Sequence, residues 1–216
     1  MNLKLNKTIK YLIYSDLVFY TGWGLISPIF AIFILNTITG GSAFIVGLAS
    51  AIHLTVRSLV RIPFGMNVDS KKSFKRAFNF MFYGLLFSAL IPLGYMISKT
   101  PLHIYILQAF LGIFLAMSTA GWTAIFSRNM DKGKESTEWG FDAVAVGIGP
   151  GIAGAIGGLA VTYFPFAYVF ITVSIIGIIG AFLLLFIKKD VLNCSFCNGK
   201  LFTHRELRRL KKRLHH

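Results

Sequence analysis

Apolar positions along this chain neither alternate with polar ones nor fall into one-sided stripes; they run together in long blocks separated by short polar or basic segments. Blocks at roughly 11–35, 43–64, 77–97, 102–127, 140–161 and 165–187 are each long enough to cross ~30 Å of hydrocarbon as a helix. Membrane strands would show alternation over about ten residues, which these blocks lack. The pattern predicts an all-α polytopic membrane protein with six transmembrane helices. Residues 1–190 form the membrane domain and residues 191–216 a basic tail.

Lys4, Lys7 and Lys10 before the first block imitate the start of a signal peptide. The block is too long for one and no small-residue cleavage site follows, so it is read as the first span. Composition agrees, with 55% hydrophobic, 15% aromatic and only 14% charged residues. Soluble domains carry about a quarter charged residues, which excludes an ordinary soluble enzyme, a disordered chain and a disulfide scaffold. The net charge of +14 would suggest nucleic acid in a soluble protein. Here the basic residues gather before the first block, at 65–76, at 128–138 and after Phe186, whereas the loops at 36–42, 98–101 and 162–164 hold only Lys99. That asymmetry places both termini in the cytoplasm, with the location expected to be a prokaryotic cytoplasmic membrane. The charge is then orientation signal plus attraction to anionic lipid, and nucleic-acid binding is not expected.

Two segments carry a more particular pattern. The segment after the second span reads Arg61-Ile62-Pro63-Phe64-Gly65-Met66-Asn67-Val68-Asp69-Ser70-Lys71-Lys72, and the fifth span contains Ala145-Val146-Gly147-Ile148-Gly149-Pro150-Gly151-Ile152-Ala153-Gly154. The first resembles the signature between helices 2 and 3 of the major facilitator superfamily, in which Gly, Asp and a basic cluster follow a Pro-x-Gly helix end. Ser70 stands where that family usually has Arg, Lys72 replaces a usual Gly, and Lys75 with Arg76 comes late. The second is similar to the Gly-Pro signature of the family's antiporters in the same helix, with Ala145 and Ala153 in place of Gly. The family often has Arg four residues before the position of Gly112; Gln108 stands there, so no Arg-based proton relay is implied.

The resemblance covers roughly residues 8–188 and implies one six-helix half of a fold normally built from two parallel halves. An even helix count lets two copies inserted the same way pair about a twofold axis. The expectation is a half-size transporter acting as a parallel homodimer by alternating access. It would export a small lipophilic or cationic molecule, in exchange for protons. The rivals are a non-transporting scaffold or accessory subunit, and an isolated half or fragment of a twelve-helix transporter. No nucleophile with its base and no phosphate loop is present, so catalysis is not expected.

Asp16, Tyr20, Trp23 and Ser27 fall at i, i+4, i+7 and i+11 on one face of the first span. A polar and aromatic stripe inside lipid should face protein or water. Gln108, Gly112, Leu115, Thr119 and Trp122 make a matching face on the fourth span. The resemblance makes both helices cavity-lining, which gives Asp16, Tyr20, Trp23, Ser27, Gln108, Thr119 and Trp122 as the expected substrate cavity. Asp16 and His53 are the candidates for proton coupling, His53 because imidazole titrates near neutrality. The resemblance assigns a gating role to the loop of Gly65, Asp69, Lys71, Lys72 and Arg76, with Asp69 facing the start of the fifth span of the other copy. It also assigns Gly147, Gly149, Pro150, Gly151 and Gly154 to a helix that meets the other half. Asp142 reads as a helix-start acid, or as a partner of Arg57 or a loop Lys.

In the tail, Cys194 and Cys197 have the spacing of half a zinc site, completed by a second copy or by His204, or else are free thiols. No other cofactor is expected. Thr203-His204-Arg205-Glu206 fits a capping box ahead of Leu207, Leu210 and Leu214, a short amphipathic basic helix suited to anionic lipid. His215 and His216 read as native or as a remnant of expression.

Overall fold

A computed structural model describes residues 5–70 and 73–193. The chain is all-helical over these residues, and six helical units are long and apolar enough to cross a membrane. The tail cysteines, the segment from Thr203 to Leu214 and the His pair lie outside the described residues, as do Lys71 and Lys72.

The first span is two helices, not one. α1 (Lys7–Ile26) stops ahead of Pro28 and the chain resumes as α2 (Phe30–Thr37). Proline lacks the N–H that would continue the ladder, and its ring crowds the preceding turn. Residues on both sides are apolar, so hydrophobicity alone conceals the break. α1 begins at Asn6, whose side chain accepts the Thr8 N–H at 3.0 Å and donates from Nδ2 to Asn129 O at 3.1 Å.

α3 (Ala43–Ser70) passes through Pro63 and runs beyond residue 64, where the apolar block ends. The expected loop at 65–76 is therefore mostly helix. Gly65 and Asp69 sit in the last turns of α3, and Arg76 lies in the first turn of α4 (Phe74–Ile97), whose cap Ser73 accepts the Arg76 N–H at 3.4 Å. α5 (Pro101–Asn129) opens with proline at a position that needs no donor. α6 (Glu135–Tyr163) starts five residues before its apolar block, with Glu135 and Glu138 in the first turn favoured by the helix dipole. α7 (Phe166–Leu183) continues through a short 3-10 turn (Leu184–Ile187) into α8 (Lys188–Asn193). A hydropathy window detects only the hydrocarbon-crossing part, and these helices carry polar turns beyond it.

Packing proceeds helix to helix in the order α3, α5, α4, α7, α1, α6, with α1 and α5 also touching across the inside. The result is an arc with α3 and α6 at its free ends. Small residues set the close seams: a Cβ on Gly121 of α5 would strike the backbone of α4 at Ala77, and one on Gly157 of α6 would strike Leu25 of α1. Serine hydroxyls fasten other helices, Ser15 Oγ donating to Gly180 O at 2.8 Å and Ser118 Oγ to Met81 O at 3.1 Å. At one end Phe33, Tyr95, Phe166 and Phe170 interlock, with Phe33 and Phe170 edge to face at 4.9 Å.

At the opposite end Lys7 pairs with Asp190 at 2.8 Å, joining the first and last helices. Most of the described basic residues collect there, including Lys10, Lys75, Arg128, Lys132, Lys134 and Lys188.

Candidate functional site

The concave side of the arc holds two adjoining cavities. The larger, of about 460 Å³, is lined mainly by aromatic and aliphatic groups: Phe19, Tyr20, Trp23 and Ile26 of α1, Phe30 of α2, Leu54 of α3, Tyr95 of α4 and Leu111 of α5. Polar groups there are few, namely Ser27, Ser50, His53 and Gln108. The smaller, of about 210 Å³, is lined by Asp16 and Tyr20 of α1, Arg61 of α3, Ser118, Thr119, Trp122 and Thr123 of α5, and Trp139 and Asp142 of α6. Tyr20, Leu115 and Val146 border both.

The seven side chains expected to share a cavity are thus divided between two. Trp23, Ser27 and Gln108 line the larger, Asp16, Thr119 and Trp122 the smaller, and Tyr20 stands between. The Thr119 hydroxyl donates to Leu115 O at 2.7 Å, back along its own helix. The indole N–H groups of Trp23 and Trp122 and the Nδ1 of His53 are buried without a hydrogen-bond partner among the described residues. Such groups cost free energy unless a ligand or water meets them.

Among the described residues Asp142 makes no ion pair with Arg57 or a loop Lys. It lines the smaller cavity together with Asp16. This juxtaposition depends on how α6 lies against α1. Gly149 sits by Thr21 and Leu17, Pro150 by Gly24, and Gly157 by Leu25, so the backbones approach too closely for larger residues. Arg57 of α3 faces the Tyr20 hydroxyl across the arc.

The fifth-span signature separates into two rows. Gly149, Ala153 and Gly157 are turned to α1, with Gly154 lying near Gly24 O. Gly147 and Gly151 have open space where a Cβ would stand.

Asp69, at the end of α3, is paired within the chain. Its Oδ1 meets Arg128 at 3.4 Å, and its side chain is 76% exposed. The Arg128 guanidinium also lies over the Phe74 ring at 5.3 Å, tying α3, α4 and α5 together at the basic end. Arg76 NH1 donates to Asn67 Oδ1 at 2.7 Å, a second tie across the same turn. Gly65 has open space around it.

Sequence reading passed over Arg128 and gave Asp142 no place on the cavity. Arg128 was hidden in a run of loop cations. Asp142 shares a face with Val146 and Pro150 at i, i+4 and i+8, and both of these line cavities. Among the described residues no group of three His, Cys, Asp or Glu is placed to hold a metal ion.

No curated protein and no solved structure matches the chain. The family model of the Major Facilitator Superfamily matches residues 13–193, which takes in most of the first membrane-crossing unit, the other five whole and both cavities. With six apolar crossings arranged around an internal cleft, the chain belongs to the Major Facilitator Superfamily and is a membrane transporter of that family.

Proposed function

We propose that two copies of this six-helix unit pair in parallel to enclose one transport cavity, and that the pair exports a small lipophilic or cationic molecule by alternating access in exchange for protons. The observation that carries this reading is the open mouth of the arc. Both cavities lie between α3 and α6, and in the single copy these two helices are the least buried crossings. Their outward faces combine apolar residues with groups that lipid solvates badly. On α3, Thr55 and Ser58 are exposed. On α6, Ile148, Ile152 and Ile156 form a ridge beside the open Gly147 and Gly151. Polar side chains in mid-membrane favour a protein neighbour, and small residues allow one to approach.

A twofold axis along the bundle closes two arcs tip to tip and sets α3 of each copy against α6 of the other. Both termini then lie on one side, the cytoplasm by the placement of Lys and Arg. The larger cavity favours an apolar or aromatic body over a sugar or a polyanion. Gly65, Asp69, Lys71, Lys72 and Arg76 gate the cytoplasmic side by making and breaking contacts between copies. His53 and Asp16 are the groups placed to exchange protons with the cavity.

Native mass spectrometry of the protein in mild detergent should give a species near twice 24.0 kDa. Co-expression of a Ser58→Cys copy with a Gly147→Cys copy, both lacking Cys194 and Cys197, should give a crosslinked heteropair, because the two sites lie at similar depth on facing tips. A stable monomer over a range of lipids, without a crosslink, rejects the homodimer.

A further inference from the structure

The polar groups of the larger cavity stand at one depth. Gly94 of α4 sits against Leu107 of α5, which sets Tyr95 level with Gln108. Phe19 of α1 and Ala89 of α4 both meet Gly177 of α7, and one to two turns further on in the same direction come Trp23 and Ser27 on α1 and Tyr95 on α4. On α3, the His53 carbonyl lies by Gly112, one turn along α5 from Gln108, and Ser50 is one turn nearer the level of Gln108. Trp23, Ser27, Ser50, His53, Tyr95 and Gln108 therefore form a belt around an otherwise apolar space of about 460 Å³.

Three atoms of this belt are buried without a hydrogen-bond partner among the described residues: the indole N–H of Trp23, the hydroxyl of Tyr95 and Nδ1 of His53. Indole can only donate, and a phenol hydroxyl is a donor as well as an acceptor. Tyr95 is wholly buried, its ring held against Phe30 and Phe170 at 5.4 and 5.7 Å between centroids, so the side chain cannot swing out to bulk water. A buried donor left unmet costs free energy, and an occupant of the cavity is what can relieve it.

The same lining has no Asp, Glu, Lys or Arg among the described residues. Asp16, Arg61 and Asp142 border the smaller cavity instead. An ammonium or carboxylate entering the larger cavity would leave its water with no opposite charge to meet, whereas a neutral oxygen gives up less and finds donors. An aromatic body suits the rest, because Phe19, Trp23 and Phe30 offer ring faces and edges.

We infer that the larger cavity receives a neutral aromatic molecule bearing one hydrogen-bond acceptor, a ketone, ester or amide oxygen, with that oxygen at the belt and accepting from the Tyr95 hydroxyl and the Trp23 indole. The inference rests on the transporter reading for the ligand's passage, and it narrows the lipophilic or cationic cargo to the neutral class. Tyr95 and Trp23 become the residues that select the ligand.

The test is equilibrium binding of radiolabelled benzylacetone to the purified full chain in detergent, with empty micelles subtracted. Two molecules of the same shape compete: isopentylbenzene, which lacks the oxygen, and the amine that replaces the carbonyl by an ammonium group. The wild type should prefer the ketone to either competitor by about threefold to tenfold for each hydrogen bond formed. Tyr95→Phe removes one oxygen and Trp23→Phe the indole N–H; each should weaken the ketone by about that factor and leave the hydrocarbon unchanged. With its unmet hydroxyl gone, Tyr95→Phe should melt no lower than the wild type. Equal affinity for ketone and hydrocarbon in the wild type, tighter binding of the amine, no binding of the ketone, or a full ketone preference in both variants overturns the inference. If Trp23→Phe also loses the hydrocarbon, through misfit of the smaller ring, Tyr95→Phe decides alone, and an undiminished preference there is fatal. Ketone binding with the expected losses but no flux in proteoliposomes would defeat the transporter reading and leave the acceptor site standing.

Discussion

Gly121 and Gly147 present the same side chain in opposite circumstances. A Cβ at Gly121 runs into the backbone of α4 at Ala77 and Met81, where no flexible group stands ready to move. Gly121→Leu is therefore expected to destabilise the chain by at least the ~1–3 kcal/mol typical of an overpacked core, read as a lower thermal midpoint in detergent. At Gly147 nothing lies within 4 Å of a new Cβ in one copy, so Gly147→Leu should leave the midpoint of the dissociated chain unchanged. Asn6 is a third case, with one amide serving both as a cap for α1 and as a tie to the end of α5. Asn6→Ala should cost about 1 kcal/mol by loss of the cap, and Asn6→Asp, which restores the acceptor, should recover most of it.

Among the elements, α3 and α5 are held at the basic end by a contact that is weak by construction. Asp69 is largely exposed and meets Arg128 at 3.4 Å, and exposed pairs of this kind contribute between about 0 and 1 kcal/mol. Asp69→Asn should accordingly change thermal stability very little. If the end of α3 takes part in gating, the same substitution should slow transport in proteoliposomes several-fold, and an unchanged rate would remove Asp69 from that role. The number and order of membrane crossings were legible in the sequence because burial in hydrocarbon demands uninterrupted apolar length. The break at Pro28 was not, because Ile26, Ile29 and Phe30 keep the block apolar through it, while Pro63, Pro92 and Pro150 are accommodated inside helices. The true ends of α3 and α6 were hidden for the reason that hides polar helix ends in general: hydropathy falls where the bilayer stops, not where the hydrogen-bond ladder stops.

For the molecule as a whole, the part of the cleft written within one helix could be read and the part written between helices could not. Asp16, Tyr20, Trp23 and Ser27 share a face by spacing alone, and all four border the cavities. The placing of Asp16 and Asp142 on one cavity needs α6 to settle on α1 through Gly149, Pro150 and Gly157, and no periodicity within either helix records that seam. The arc also sets a prediction for assembly. Gly147→Leu and Gly151→Leu, silent in one copy, should shift the native mass distribution from dimer to monomer. A dimer unaffected by either leucine would place the contact elsewhere than on the outer face of α6.

The helix order of the arc also has a consequence in time. α3, α4 and α5 are neighbours in both sequence and space, and they can join as soon as they enter the bilayer. The helices that α1 packs against most extensively are α6 and α7, the latest of the six crossings in chain order, and Lys7 finds Asp190 only when α8 has emerged. During biogenesis α1 therefore waits for α6 and α7, with Ser15 still lacking its partner Gly180. A chain arrested after residue 130 should hold a protected trio of α3, α4 and α5 and an α1 open to protease or to labelling at Ser15→Cys, which closes only when α6 and α7 arrive.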